Sequence, residues 1–151
     1  MRTLQVIWIR HDSDQEPLFF PNTPPWEIAA GLAPPTTADG DEPIVSKTKR
    51  NAFTSPRFGE LLDAEIKQYG HEGIELYFTG VQSEKCVQLT LTTAIERYKN
   101  EPAIKKLAVV EDGHATYDIP EQNLTYRQVA NNVNKELAAI GAEVVSSESV
   151  F

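Results

Sequence analysis

Strand-like and helix-like patterns alternate along the C-terminal two thirds of the chain, and this alternation restricts the fold more than any other feature. Short β-rich apolar runs occupy Ile74–Thr79, Leu107–Val110 and Ala142–Val145. Between them, residues 83–98 and 126–140 carry apolar side chains at helical spacing. Because crossovers between parallel strands of one sheet are right-handed, this order predicts an α/β fold: a three-layer α-β-α sandwich around a mostly parallel, Rossmann-like sheet.

Local signals set the predicted ends of the helices and strands. Ser55-Pro56 is a helix start, Gly70 is a helix end, and Thr125 to Gln128 fits a capping box. We expect Gly80 to break the strand before it and Ser83 to cap the next helix. Two helices are expected to bury an apolar face, formed by Val87, Leu91, Ala94, Ile95 and Tyr98 in one and by Val129, Val133, Leu137 and Ile140 in the other.

The N-terminal third has a different organisation. Val6–Ile9 is apolar without alternation, which predicts a strand covered on both faces. From Pro17 to Pro43 the chain is rich in proline and turn formers, and we expect a long loop that carries a binding surface. Trp26 and Ile28 are expected to anchor the middle of this loop to the core. A short strand then begins at Pro43.

Composition limits the class of protein. With 151 residues and no internal repeat, the chain suits one domain, residues 1–151. The net charge of −8 argues against nucleic acid as a partner. No apolar run approaches the roughly 18 residues of a membrane helix, and we expect no signal peptide before the strand-like run that begins at Leu4. One cysteine cannot form an internal disulfide, so we predict a reducing compartment, the cytoplasm.

That cysteine, Cys86, lies just beyond the predicted strand Ile74–Thr79, three residues after Ser83. Ligands of an open parallel sheet bind at the carboxyl ends of its strands. A helix start also favours a thiolate, and its backbone N–H groups can hold an oxyanion. Cys86 is therefore a candidate nucleophile. The alternatives are a small buried apolar residue and a redox-responsive thiol.

Two segments match a known pattern. The run LYFTGVQSEKCVQLTLTTAIER combines an apolar strand, Gly-Val, a short polar turn, Cys-Val and a helix rich in Thr and Ala. The run VSKTKRNAFTSPRF places Lys47 at a strand end, five residues before Ala52. Both resemble segments of the isochorismatase-like cysteine hydrolases. The runs VIWIRHDSD, PPWEIAAGLAP, LAVVEDGHAT and IGAEVVSSESV resemble further segments of that family, so the resemblance covers nearly the whole chain.

The resemblance implies a role for each of these residues. Cys86 would attack a carbonyl or similar electrophilic carbon, and Lys47 would favour its thiolate, as a nearby cation does. The backbone N–H groups of Gln82 and Cys86 would form the oxyanion hole, and Val81–Gln82 would be a cis peptide. The resemblance further implies a small-molecule substrate, no cofactor, and self-association as a dimer or tetramer.

One expected feature of the family is missing from the sequence: a first strand ending in the third catalytic group, an aspartate. The chain starts at what resembles the family's second strand, so the fold is expected to be N-terminally truncated. Asp12 and Asp14 are weak substitutes. The chain is then a piece of a longer protein, a fold that closes the gap by exchanging a strand with another subunit, or a relative that has lost catalysis.

Other candidate sites are less specific. His11, Asp12 and Asp14 do not form a ligand set with recognisable spacing, so we predict no metal. His11, Trp26 and Phe53 are candidates for the substrate pocket, although the aromatic residues equally suit anchors of the loop.

Together with the resemblance, the position of Cys86 indicates a cysteine hydrolase acting on a C–N or C–O bond of a small molecule. The alternative is an inactive relative that acts as a binding or oligomeric protein.

Overall fold

The computed structural model describes residues 5–32 and 42–150. The chain divides into two compact units, Met1–Gly59 and Glu60–Phe151. The named strands form a two-stranded and a three-stranded sheet, and within each sheet all strand pairings are parallel. Parallel sheets joined through helices confirm the predicted α/β class. None of the helices in the described part of the chain is both long enough and apolar enough to cross a bilayer.

The first unit is built on β1 (Trp8–His11) and β2 (Ile44–Lys47), with His11 opposite Lys47 in the register. Asp12 extends the ladder, since its N–H donates to the Lys47 carbonyl at 2.8 Å. Ile9 on β1 is 37% exposed, so the prediction that this strand is covered on both faces is wrong. Among the described residues β1 pairs with β2 alone, so the other edge of the strand has no neighbouring strand.

The predicted proline-rich loop contains short 3-10 segments at Pro17–Phe19, Pro24–Trp26 and Ala30–Leu32, and its residues 33–41 lie outside the described residues. Trp26 fastens the loop to the end of β1, because its Nε1–H donates to Asp12 Oδ1 at 2.7 Å. The Arg10 guanidinium lies 3.3 Å above the centroid of the Trp26 ring, a cation–π contact. These contacts give Trp26 the anchoring role expected from the sequence.

The second unit alternates strands and helices in the predicted order. Helix α1 (Pro56–Tyr69) runs across the division between the units and ends at Gly70. The remaining strands and α-helices of the second unit are β3 (Ile74–Val81), α2 (Gln88–Tyr98), β4 (Ile104–Ala115), α3 (Tyr126–Ala139) and β5 (Glu143–Val145). The strand order is β3-β4-β5, so β4 is central in this sheet. The capping box predicted at Thr125 and Gln128 is confirmed.

The core of the second unit lies where α2 and α3 pack on β4. Leu91, Val109 and Leu137 are each 0% exposed, and most of the two predicted apolar faces are buried. Ile95 is only half-buried, and Ile140 is 47% exposed, so the prediction that Ile140 completes the buried face is wrong. Ile140 is the C-cap of α3, and Gly141 at φ +108° turns the chain away before another helical turn can form.

Two predicted strand ends are also wrong, and both errors concern the same place. β3 continues through Gly80 to Val81, and β4 continues past Val110 to Ala115. Phe78 pairs with Val109, but the next pairing is Gly80 with His114, so β4 bulges between its two paired stretches. Gly80 has φ +124°, a conformation that glycine adopts without the strain of a side chain.

The two ends of the α3 face give a matched test of this core. Leu137→Ala should lower the free energy of unfolding by about 2–5 kcal/mol, because it leaves a cavity among buried side chains. Ile140→Ala should change it by about 0.5 kcal/mol or less, as is usual for an exposed position. Urea unfolding of both variants measures the difference. Equal losses would contradict the burial described for α3.

Candidate active site

Cys86 lies in a short π-helical turn between the carboxyl end of β3 and the start of α2. We call this segment, Ser83–Val87, the Cys86 turn; it runs directly into α2. The carbonyl of Gln82, the residue before it, accepts from the N–H groups of Lys85 and Val87 at 3.1 and 3.3 Å. Cys86 is half-buried. The thiol therefore stands at a helical start beyond the end of a parallel strand, the position expected from the sequence.

The Cys86 turn is fixed at both of its first two residues. The Val81–Gln82 peptide before it is cis, at the bond indicated by the resemblance. Ser83 is 0% exposed, and its Oγ lies 2.8 Å from His114 Nδ1. The next residue, Glu84, accepts from Thr116 Oγ1 at 2.5 Å. Ser83 is thus not the helix cap that the sequence predicted, because its hydroxyl bonds to β4 instead of a backbone N–H of the turn.

His114 is a site residue that sequence reasoning missed. It follows the predicted strand Leu107–Val110 in the sequence, but in the structure it lies within β4 and is only 8% exposed. Its Nε2 lies 2.8 Å from Asn134 Oδ1 on α3. The only sequence signal was a histidine shortly after an apolar strand. The bulge that brings it beside Gly80 depends on pairing with β3, which a local pattern does not reveal.

Lys47 occupies the end of β2 in the first unit and is only 5% exposed. Its Nζ donates to the carbonyl of Lys49 at 2.9 Å and lies 3.1 Å from His11 Nδ1. Burial and, next, the charge of Lys47 lower the pKa of His11, more than Glu16 and Asp12 raise it. A neutral His11 can accept a hydrogen bond from the Lys47 ammonium at Nδ1, so the two residues form a donor–acceptor pair.

An open cleft of about 840 Å³ lies beside this pair, within the first unit. His11 lines it, together with the acidic residues Asp12, Asp14 and Glu16 and the basic residues Lys49 and Arg50. Its volume suits a small-molecule ligand. Trp26 and Phe53 do not line this cleft: Trp26 bonds to Asp12, and Phe53 packs edge-on against Phe58 at 4.8 Å between ring centroids. A pocket role for those two residues stays a prediction.

The candidate residues are thus distributed over both units. His11, Trp26, Lys47 and Phe53 belong to the first, and Val81, Gln82 and Cys86 belong to the second. Within residues 5–32 and 42–150, no three or more His, Cys, Asp or Glu side chains are placed to hold a metal ion.

Asp112, at the β4 bulge, accepts from the Ser147 N–H and hydroxyl, and these bonds lower its pKa. It therefore fastens the segment after β5.

Comparison with known proteins decides the family. The model of the isochorismatase domain matches residues 2–149. The chain belongs to the isochorismatase family. Two streptothricin hydrolases from Streptomyces noursei are 33% and 34% identical to it over 116 residues, which is 76% of this chain. The chain spans only 39% and 36% of the length of these two relatives.

Solved structures of the isochorismatase family share the fold. A hydrolase of the family from Oleispira antarctica superposes with a TM-score of 0.78 at 23% identity, covering 97% of this chain and 71% of that one. A cysteine hydrolase from Pseudomonas syringae pv. phaseolicola gives a TM-score of 0.73 at 19% identity, covering 97% of this chain and 70% of that one. The predicted isochorismatase-like fold is confirmed.

The pair formed by His11 and Lys47 can be tested by titration. NMR should give a His11 pKa below 6.5. The unfolded chain then binds the proton more tightly than the folded protein does, so this residue lowers the free energy of unfolding as the pH falls below 6.5. In Lys47→Ala the His11 pKa should rise, because one of the two causes that lower it is removed. Lys49→Ala, which keeps the backbone carbonyl, is the control. A His11 pKa unchanged by Lys47→Ala would contradict the pairing.

Proposed function

We propose that this protein is a cysteine hydrolase in which Cys86 attacks an electrophilic carbon of a small molecule and a C–N or C–O bond is broken. The observation that carries the proposal is the place of Cys86: a half-buried thiol in a helical turn directly after the carboxyl end of β3. Backbone N–H groups and the dipole at a helix start favour a thiolate over a thiol. Membership of the isochorismatase family supports the same role.

The proposed reaction consumes one water. The Cys86 sulfur bonds to the electrophilic carbon, the C–N or C–O bond breaks, and the amine or alcohol leaves with a proton. Water then attacks the thioester carbon, the C–S bond breaks, the acid is released and the thiol is restored. The developing oxyanion is assigned to the backbone N–H groups of Gln82 and Cys86, as the resemblance to the isochorismatase-like cysteine hydrolases implies.

Lys47 is the second proposed catalytic residue. Two observations support it: its segment resembles the lysine segment of the family, and its side chain is almost fully buried at the end of β2. A buried ammonium held by a carbonyl and a neutral histidine keeps its charge in a defined place. Its proposed effect is to favour the Cys86 thiolate.

Alkylation of the single cysteine tests both residues. Iodoacetamide at neutral pH should modify Cys86 in the native protein about tenfold or more faster than in the urea-unfolded chain, because only the native site favours the thiolate. Lys47→Ala should remove most of this difference, whereas Lys49→Ala, which removes a nearby exposed charge, should not. Native labelling no faster than unfolded labelling would favour the alternative, a relative without catalysis.

Hydrolysis itself should be tested on a panel of small amides and esters that includes streptothricin, the substrate named for two relatives. Turnover should yield products whose summed mass is that of the substrate plus one water, measured by mass spectrometry. Cys86→Ser should lose this activity almost entirely, because a serine hydroxyl stays protonated where a thiol ionises. Equal turnover by Cys86→Ser would contradict a cysteine nucleophile.

A further inference from the structure

A chain of three polar side chains, two of them buried and one half-buried, connects the Cys86 turn to α3 through β4. Ser83 begins the turn, His114 lies on β4 and Asn134 lies on α3. The two contacts of the imidazole are both 2.8 Å, one at each ring nitrogen. Ser83 is 0% and His114 is 8% exposed, so each relies on the other for a partner that water would otherwise supply.

The chemistry of the partners fixes the direction of these bonds. Asn134 Oδ1 can only accept, so His114 carries a proton at Nε2. In the neutral ring Nδ1 then has a lone pair, and it accepts the proton of the Ser83 hydroxyl. Each of the four atoms in these two contacts thus has a defined role as donor or acceptor, which favours a single geometry of the network.

The backbone of β4 explains how the imidazole reaches the turn. Beyond the bulge, His114 pairs with Gly80 and Ala115 pairs with Val81, the last residue of β3. The tail of β4 therefore runs beside the segment that leads into the Cys86 turn. Thr116, the residue after β4, adds a second link to the turn through its contact with Glu84.

We propose that His114 is a positioning residue for the nucleophile. It fixes Ser83, the first residue of the Cys86 turn, to α3, and so holds the Cys86 sulfur and the backbone N–H groups of the turn in their reactive arrangement. His114 acts through Ser83 and does not touch the reacting atoms. The inference rests on the proposed nucleophilic role of Cys86.

Graded variants of the network test this role. His114→Phe keeps an aromatic ring but removes both ring nitrogens and their hydrogen bonds. The native alkylation rate should fall about tenfold or more, because the buried Ser83 hydroxyl loses its acceptor. His114→Asn offers an acceptor near the place of Nδ1, and its rate should return to within about threefold of wild type. Asn134→Ala should give an intermediate loss, and Asn132→Ala, at an exposed position of the same helix, should give none.

Two further measurements separate positioning from a general structural role. The free energy of unfolding of each variant shows whether the native protein is populated under the labelling conditions. Amide hydrogen exchange of residues 82–87 reports the order of the turn directly. If His114→Phe does not fold, Asn134→Ala carries the test. A lower stability with an unchanged native alkylation rate and unchanged exchange in the turn would overturn the proposal.

Failure of this inference is distinguishable from failure of the hydrolase proposal. If wild-type Cys86 is labelled fast and the His114 variants are labelled equally fast, only the positioning role is overturned. If wild-type Cys86 is labelled no faster than in the unfolded chain, the hydrolase proposal fails and hydrogen exchange decides the role of His114. Faster exchange of residues 82–87 in His114→Phe than in Asn132→Ala then supports positioning, and equal exchange overturns it.

Discussion

The renewed pairing of β3 with β4 beyond the β4 bulge is the constraint on which the candidate site depends. Without it β3 would end at Phe78, and the chain leading to the Cys86 turn would lack backbone partners. With it, Gly80 and Val81 remain in the ladder, and the tail of β4 reaches the first residues of the turn. A nucleophile needs a fixed position more than a particular sequence neighbour, and this pairing supplies the fixed position.

Hydrogen bonds between polar side chains also hold the candidate site residues in place. In the second unit, a serine, a histidine and an asparagine connect the Cys86 turn to the centre of the sheet and to α3. In the first unit, Lys47 is held at its strand end by a carbonyl and by a histidine whose pKa is lowered by burial and by the lysine itself. Each arrangement holds a residue of the candidate site in place through a histidine that is itself buried or half-buried.

Most of the fold could be predicted because its signals are local. The helix end at Gly70, the capping box at Thr125 and the order of strands and helices all follow from short patterns, and the structure contains each of them. The candidate nucleophile was also readable, because it follows a strand and precedes an apolar helical face.

What the sequence did not reveal depends on pairing between distant residues. Glu111-Asp112-Gly113 is typical of a turn, yet here it lies in the bulge of a strand that continues to Ala115. The same pairing makes Ser83 a partner of His114 instead of a helix cap. Ile140 was misassigned for a different reason: helical periodicity continues to it, but the left-handed Gly141 ends the helix first.

The central claim is that Cys86 forms and then releases a covalent intermediate. The most direct measurement is time-resolved intact-mass and peptide mass spectrometry of the native protein mixed with an activated ester. We expect an acyl adduct on the peptide that contains Cys86, which appears early and decays as the free thiol returns. Absence of any adduct on Cys86, or an adduct there that persists as it does on the unfolded chain, would contradict it.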